Sequence, residues 1–236
     1  MAIAATHHNS LVQPQLEFSI LRHTESLGAM DVQVWVRRDH VADINANSIV
    51  NDLSALAAEV AQCTRCSLHK ERTQTVFGVG DLSASLLIIG EAPGAEEDRV
   101  GEPFVGRAGK LLNSMLRAIG VSREQVYIAN ILKCRPPGNR DPLPEEVAHC
   151  ASYLARQVEM IKPSIILAVG RIAAQNLLQN SVPIGKMRGQ RYTYGDKGIP
   201  VIVTYHPAYL LRSPREKRKS WQDLVLVKEV LEEAML

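Results

Sequence analysis

The chain has little net charge and no long apolar run, and each shortage excludes a class of protein. Its 236 residues carry 27 Lys and Arg against 25 Asp and Glu, a formal net charge of +2. Binding of nucleic acid through a strong global field is therefore excluded. No apolar stretch approaches the ~20 residues that span a bilayer, and the first ten residues lack the basic start and apolar core of a secretory signal. We therefore expect a cytoplasmic protein with no membrane partner.

Cysteine is also scarce, and the spacing of the four cysteines indicates a ligand site. Two residues separate Cys63 from Cys66, and fifteen separate Cys134 from Cys150. Disulfides are disfavoured in a reducing cytoplasm. Zinc is an alternative, although its second pair of ligands is usually closely spaced. Iron-sulfur clusters accept irregular spacings of four thiolates. The spacing thus favours a [4Fe-4S] cluster on these four residues over zinc. Four ordinary buried cysteines are disfavoured because three of the four lie next to polar or basic residues.

The hydrophobic pattern beyond residue 85 alternates between strand and helix. Short apolar runs at residues 86–89, 126–131, 165–169 and 199–204 predict buried strands, and a further short strand is expected at 191–194. Helical periodicity fills the segments between them, and Asp141 and Pro142 are expected to open the helix that runs to about residue 161. This alternation predicts an α/β fold with three layers, α/β/α, around a central, mostly parallel four-stranded sheet.

The N-terminal part is organised differently. Ile49, Leu53 and the apolar residues that follow mark one face of a helix, for which Asn47 or Ser48 would be the cap. Residues 1–47 show only two weak strand patterns, at 16–21 and 32–36. We therefore expect an N-terminal extension of uncertain order at residues 1–47 and one folded domain at residues 48–236.

One stretch combines glycines and carboxylates at the end of a predicted strand. Residues 90–109 read GEAPGAEEDRVGEPFVGRAG, and ligands of open parallel sheets bind at the carboxyl ends of strands. The alternative is a solvated acidic loop. Glu91 follows the first predicted strand, Asn130 ends the second and His206 follows the fourth, so the topology predicts that these three lie along one edge of the sheet.

Basic residues form three groups near the predicted strand ends. They are Lys133, Arg135 and Arg140; Lys186, Arg188 and Arg191; and Arg212, Arg215, Lys217, Arg218 and Lys219. Solvated surface is the default interpretation of any single group. Three groups on the side of the acidic loop favour a polyanion that crosses the site.

Four motifs occur in order and carry a family resemblance. GEAPG at 90–94, EPFVGRAG at 102–109, NILKCRPP at 130–137 and HPAYLLR at 206–212 resemble the family 4 uracil-DNA glycosylases, the prokaryotic iron-sulfur branch of their superfamily. The resemblance covers the chain from about residue 56 to its C terminus. The N-terminal arm departs from it, being longer than these enzymes usually carry.

The resemblance implies an activity and its partners. Such an enzyme is a monomer that flips uracil out of single- or double-stranded DNA and hydrolyses the N-glycosidic bond, leaving an abasic site for base excision repair. It implies that Glu91 and His206 are catalytic. Glu91 would orient the attacking water or stabilise the sugar cation. His206 would donate a hydrogen bond to uracil O2, although a lone histidine after a strand is more often structural.

The resemblance also implies which residues hold the base. Phe104 would be the ring on which uracil stacks, and Asn130 would read its N3–H and O4. Glu97 would exclude the methyl group of thymine, and the backbone at Ala92 would complete the pocket wall.

DNA contacts follow in the same way. The segment after His206 would enter the minor groove, with Leu210 or Leu211 as an exposed apolar wedge, and basic residues would hold phosphates. The implied DNA-binding residues are Arg135, Arg188, Tyr209, Leu210, Leu211 and Arg212.

Two alternatives stay open beside the glycosylase. One is the branch of the superfamily that becomes trapped on its abasic product, which carries a longer basic insertion with a histidine after the second strand. Here the segment after Cys134 is short and has no histidine before His149. The other is a non-catalytic iron-sulfur DNA-binding module of the same fold, of the kind appended to polymerases.

Overall fold

The structure, a computed structural model, describes residues 38–234, without the side chains of residues 38–48 and 51. The weak strand patterns at 16–21 and 32–36 lie outside the described residues. The chain divides into two compact units, Met1–Asn47 and Ser48–Leu236. No helix in the described part of the chain is long and apolar enough to cross a membrane.

Helices and strands alternate along the described part of the chain. The helices are α1 (Arg38–Ala61), α2 (Ala95–Val100), α3 (Arg107–Ala118), α4 (Pro144–Ile161), α5 (Arg171–Leu177), α6 (Ile184–Met187), α7 (Pro207–Arg212) and α8 (Lys217–Glu233). The strands are β1 (Val79–Gly80), β2 (Leu86–Gly90), β3 (Tyr127–Asn130), β4 (Ile165–Val169), β5 (Arg191–Tyr194) and β6 (Ile199–Thr204). Short 3-10 turns lie at Ser67–Lys70, Arg123–Gln125, Pro137–Asn139 and Pro214–Glu216.

The sheet confirms the predicted α/β fold and extends the strand count. Its order is β1-β3-β2-β4-β6-β5. The four inner strands are those expected from the apolar runs, and they are parallel. The outer strands β1 and β5 pair antiparallel with β3 and β6, so the sheet has six strands rather than four. β1 is two residues long, which is too short for a pattern of alternating residues to reveal.

Both faces of the sheet are buried, which explains the unbroken apolar runs. Alternate residues of one strand point to opposite sides. Leu87 and Ile89 of β2 join the core under α4 and α5, whereas Leu86 and Ile88 join the core under α3 and α8. The carboxyl ends of β2, β3 and β6 thus carry their following loops to one edge.

Two helix starts differ from the prediction. α1 begins at Arg38, not at a cap at Asn47 or Ser48, because no proline or glycine interrupts residues 38–47 and the backbone hydrogen bonds continue. α4 begins at Pro144 rather than at residues 141–142, because Pro142 disfavours a helical residue before it and Pro144 occupies the favoured first helical position.

Candidate active site

A cavity of about 440 Å³ opens at the carboxyl ends of the parallel strands. The loops after β2, β3 and β6 build its walls. It is lined by Glu91, Ala92, Pro93, Gly94, Glu97, Phe104, Ala108, Asn130, Pro136, Asn139, Arg140, Asp141, His206, Ala208, Tyr209 and Arg212. The structure therefore brings together the six residues that the sequence suggested for catalysis and base binding.

Glu91 is the first residue after β2. Burial, and then the nearby charge of Asp141, raise its pKa from 4.5 to about 7, while Arg171 acts in the opposite direction. Asp141 also lines the cavity, and its carboxylate accepts a hydrogen bond from Arg171 at 2.5 Å. With this pKa, Glu91 changes between its protonated and ionised forms near neutral pH.

His206 caps the start of α7. Its Nδ1 accepts a hydrogen bond from the Ala208 backbone N–H at 3.1 Å, so the proton of the neutral ring lies on Nε2. Burial, and then the charge of Arg212, lower the pKa of His206 to about 4, whereas Glu97 acts to raise it. At neutral pH the imidazole is thus uncharged, with Nε2 as a hydrogen-bond donor.

Phe104 presents an aromatic surface next to His206. The two ring centroids lie 5.6 Å apart with 29° between the ring planes. The backbone of Phe104 has a left-handed φ of 54°, a conformation that costs about 1–3 kcal/mol in a residue with a side chain. Two glycines make room for it. A Cβ on Gly90 would lie 2.7 Å from the ring, and a Cβ on Gly109 would lie 1.7 Å from the Phe104 carbonyl oxygen.

Asn130 ends β3 and is almost fully buried. Its Oδ1 lies against Gly90 so closely that a Cβ at that glycine would be only 2.4 Å away. Its backbone carbonyl accepts a hydrogen bond from Lys133 Nζ at 2.9 Å. Asn130 is therefore a buried amide residue of the cavity wall.

The carboxylates of residues 90–109 have separate functions in the structure. Glu97 Oε1 accepts hydrogen bonds from the backbone N–H groups of Val105 at 3.1 Å and Gly106 at 3.2 Å. The carboxylate of Asp98 is buried and accepts from the backbone of Thr73. These contacts show that part of the acidic character is structural, while Glu91 and Glu97 line the cavity.

The segment after His206 is a short helix rather than an exposed loop. Leu210 is 1% exposed and packs in the core under α3 and α8, so the expectation that it is an exposed wedge is wrong. Leu211 is half-buried, and Tyr209 and Arg212 are exposed residues of the cavity wall. Of the two leucines, Leu211 is the one that keeps exposed surface.

Several basic side chains of the three groups are buried or paired, and are therefore less exposed to solvent than the sequence suggested. Arg188 forms an ion pair with Asp223 at 2.9 Å, and the two side chains are 12% and 0% exposed. Lys133 is 1% exposed and cannot reach a phosphate. Arg135 Nε donates to Asn139 Oδ1 at 2.7 Å, which places this arginine beside the cavity. Arg212 lines the cavity itself, whereas Arg188 does not.

The four cysteines are brought together from three places in the chain. Cys63 and Cys66 follow α1, Cys134 lies in the loop after β3 and Cys150 lies in α4; all four are free thiols and line one small cavity. Arg72 Nη1 donates to Cys134 Sγ at 3.2 Å. Among the described residues, no group of three or more His, Cys, Asp or Glu side chains is placed to hold a metal ion.

Sequence reasoning missed two cavity residues in the segment 136–141. Asn139 and Asp141 line the cavity, yet they follow the motif that drew attention and carry side chains common in turns. Arg140, a member of the first basic group, lines the cavity as well. Nη1 and Nη2 of Arg140 donate to the carboxylate of the buried Glu146 of α4, at 2.9 and 2.6 Å. The sequence did contain a signal for these residues, because they lie between the predicted cluster ligands Cys134 and Cys150 and follow the end of a predicted strand.

Comparisons with known proteins identify relatives of this chain. The sequence model of the Uracil DNA glycosylase superfamily matches residues 77–225. A type-4 uracil-DNA glycosylase of Archaeoglobus fulgidus is 46% identical over 188 residues, 77% of this chain and 94% of that protein. One from Saccharolobus solfataricus is 44% identical over 189 residues, 77% of this chain and 88% of that protein.

A relative of another kind matches a similar part of the chain. A DNA polymerase of Bacillus phage SP01 is 33% identical over 168 residues, which make up 70% of this chain and 18% of the polymerase. The same kind of domain thus occurs both as most of a glycosylase and as a small part of a polymerase.

Proposed function

This chain belongs to the uracil-DNA glycosylase superfamily, and we propose that it is an iron-sulfur enzyme of the type-4 kind that removes uracil from DNA. It hydrolyses the bond between uracil and deoxyribose and leaves an abasic site for base excision repair. The observation that carries the proposal is the single cavity that holds Glu91, Phe104, Asn130 and His206.

The charges of the cavity match those of the reaction. In the transition state the sugar becomes positive and the departing base becomes negative. Ionised Glu91 supplies negative charge for the sugar and an acceptor for the attacking water. Neutral His206 donates from Nε2 to uracil O2 as negative charge develops there, because Nδ1 is already occupied by the Ala208 N–H. With its pKa lowered to about 4, the histidine acts as a hydrogen-bond donor rather than as an acid.

Asn130 and Phe104 account for selection of the base. The side-chain carbonyl oxygen of Asn130 accepts a hydrogen bond from N3–H of uracil, and its side-chain NH2 group donates to O4. Cytosine offers the opposite pattern, with an acceptor at N3 and a donor at N4. Each buried group left unpaired costs about 1–3 kcal/mol, so two mismatched groups correspond to rejection of cytosine by about 100-fold or more. Uracil stacks on Phe104, and Glu97 and the backbone of Ala92 form the wall against the thymine methyl group.

DNA is held at the rim of this cavity. Arg212 and Arg135 contact phosphates, and Tyr209 and Leu211 of α7 face the minor groove, where Leu211 takes the place of the extruded base. Arg188 contributes indirectly, through its ion pair with Asp223. The protein acts as a monomer in the prokaryotic cytoplasm, on single- or double-stranded DNA.

The cavity between the four cysteines fits an iron-sulfur cluster by its donor chemistry. Four thiols from three elements line it, and the Arg72 guanidinium donates to Cys134 Sγ at 3.2 Å and to the Cys63 carbonyl at 2.9 Å, which suits an anionic group. Cys63, Cys66, Cys134 and Cys150 would hold a [4Fe-4S] cluster, which would supply a structural cross-link. Cys134 and Cys150 would then be tied at the two ends of residues 134–150, and this segment carries part of the wall of the active cavity.

A test of the function uses oligonucleotides that contain one uracil, thymine or cytosine at the same position. After incubation with the protein, alkali cleaves the strand wherever a base has been lost. We expect cleavage at uracil alone. If folded, cluster-loaded protein holds the DNA but leaves every strand intact, the non-catalytic module becomes the better account.

A further inference from the structure

Phe104 lies on a segment whose backbone is bound by two charged side chains, Glu97 and Arg123. Glu97 accepts hydrogen bonds from the backbone N–H groups of the two residues that follow Phe104. Arg123 donates to the carbonyl oxygens of Pro103 at 2.7 Å and of Phe104 itself at 3.4 Å. Glu97 thus accepts hydrogen bonds from the backbone that follows Phe104, and Arg123 donates hydrogen bonds to the backbone of Pro103 and Phe104.

Arg123 is itself held in place. It lies in the 3-10 turn before β3, and its Nη1 also contacts Asn113 Oδ1 of α3 at 3.3 Å. A planar guanidinium can serve several acceptors in a fixed geometry, which an ammonium group cannot do. Arg123 therefore connects the start of β3, which ends in Asn130, with the segment that carries Phe104.

The backbone of Phe104 needs such support. A residue with a side chain persists in the left-handed region only where its surroundings fix it, and the φ of Phe104 is 54°. The ring must stay in place because it stacks on His206 and lines the cavity. Relaxation of this backbone would move the ring from the base and from the histidine together.

We propose that Arg123 is a positioning residue for base binding, which holds Phe104 over the cavity through the carbonyl oxygens of Pro103 and Phe104. This role rests on the proposed glycosylase function. Arg123 does not line the cavity and does not touch the base. A small displacement of a positioned group lowers catalytic rates by up to about 100-fold, so its loss lowers the chemical rate while DNA affinity stays near that of the wild type.

The test is a double-mutant cycle on the single-turnover rate of uracil release. Arg123→Met keeps the length of the side chain and removes its donors. We expect it to lower the rate about tenfold or more in the wild-type background and less than twofold in Phe104→Ala, because a residue that acts through Phe104 has nothing left to position. Arg117→Met, at an exposed arginine of α3, is the matched control and should leave the rate unchanged.

Arg123→Lys covers the case in which the methionine variant does not fold. A lysine keeps one donor for the Pro103 carbonyl, so its rate should lie between those of the wild type and Phe104→Ala. A wild-type rate in Arg123→Met, or equal losses with and without Phe104, would overturn the role of Arg123. Absence of uracil release by the wild type would instead contradict the proposed function itself.

Discussion

Phe104 and His206 stack at one corner of the cavity, with ring centroids 5.6 Å apart, although 102 positions separate them in the chain. The pair places an apolar face next to the Nε2 donor of the histidine. A flat base with a carbonyl oxygen on its edge can contact both at once, and this relationship is the basis of the account of uracil binding.

The rate of uracil release should increase with pH. Glu91 acts as a carboxylate, and its pKa is raised to about 7, so kcat/KM should rise about tenfold per pH unit below 7 and level off above it. His206, with a pKa of about 4, stays neutral over this range and adds no second limb. The measurement is kcat/KM on a uracil oligonucleotide from pH 5.5 to 9.

Asp141→Asn provides the control for this pH profile. Removal of a negative charge beside Glu91 lowers the pKa of that carboxyl, so the rising limb should move to lower pH. A limb that stays in place, or a rate that falls as pH rises through 7, would contradict the assignment of the limb to Glu91.

Leu210→Ala should lower the stability of the protein, whereas Leu211→Ala should weaken extrusion of the base. Leu210 is in the core, and truncation of a buried leucine costs about 2–5 kcal/mol in the free energy of unfolding. Leu211 is half-buried, so its truncation should leave stability nearly unchanged and weaken extrusion of the base. Urea unfolding and fluorescence of a 2-aminopurine next to the uracil measure the two effects. A Leu210→Ala protein of wild-type stability would show that the core position is wrong.

Arg188→Met and Arg212→Met separate a structural arginine from a phosphate contact. Loss of Arg188 leaves the fully buried Asp223 side chain without its ion-pair partner, which should destabilise the protein by about 3–5 kcal/mol. Loss of Arg212 should leave stability intact and reduce the slope of log K against log salt by about one. Thermal melting and DNA titrations at several salt concentrations test the pair. The assignment fails if Arg188→Met melts like the wild type and loses salt dependence.

The cysteines should each be required for the cluster. Anaerobically purified protein should be brown and hold about four iron atoms per chain. Replacing Cys63 or Cys150 by alanine should lower the iron content and the melting temperature together, because the cross-link between α1 and α4 is lost. Colourless anaerobic protein with stoichiometric zinc and no iron would contradict the cluster. Iron and zinc analysis by mass spectrometry decides between them.

The sequence reveals the inner sheet and the edge where ligands bind because both depend on short-range patterns. An apolar run such as that of β2 is enough to place Glu91 at a strand end, and the rule for parallel sheets then brings Asn130 and His206 to the same edge. The resemblance assigns roles to single residues, and eight of these residues line one cavity: Glu91, Ala92, Glu97, Phe104, Asn130, His206, Tyr209 and Arg212.

Other features depend on partners that are distant in sequence. Nothing near Arg188 indicates that Asp223, 35 positions further on, neutralises it. The burial of Leu210 depends on the rotation of a six-residue helix, which is too short for periodicity to reveal. Arg123 belongs to none of the recognised motifs, and its importance emerges only from the two carbonyl groups it contacts.

The most direct measurement for the central claim compares wild type and Glu91→Gln in DNA binding and in single-turnover uracil release. The account predicts that Glu91→Gln binds uracil-containing DNA as tightly as the wild type and releases uracil at least 100-fold more slowly, because it lacks the charge that the sugar cation requires. Equal rates of release, or DNA binding without uracil release by the wild type as well, would contradict the claim that this cavity is a catalytic site.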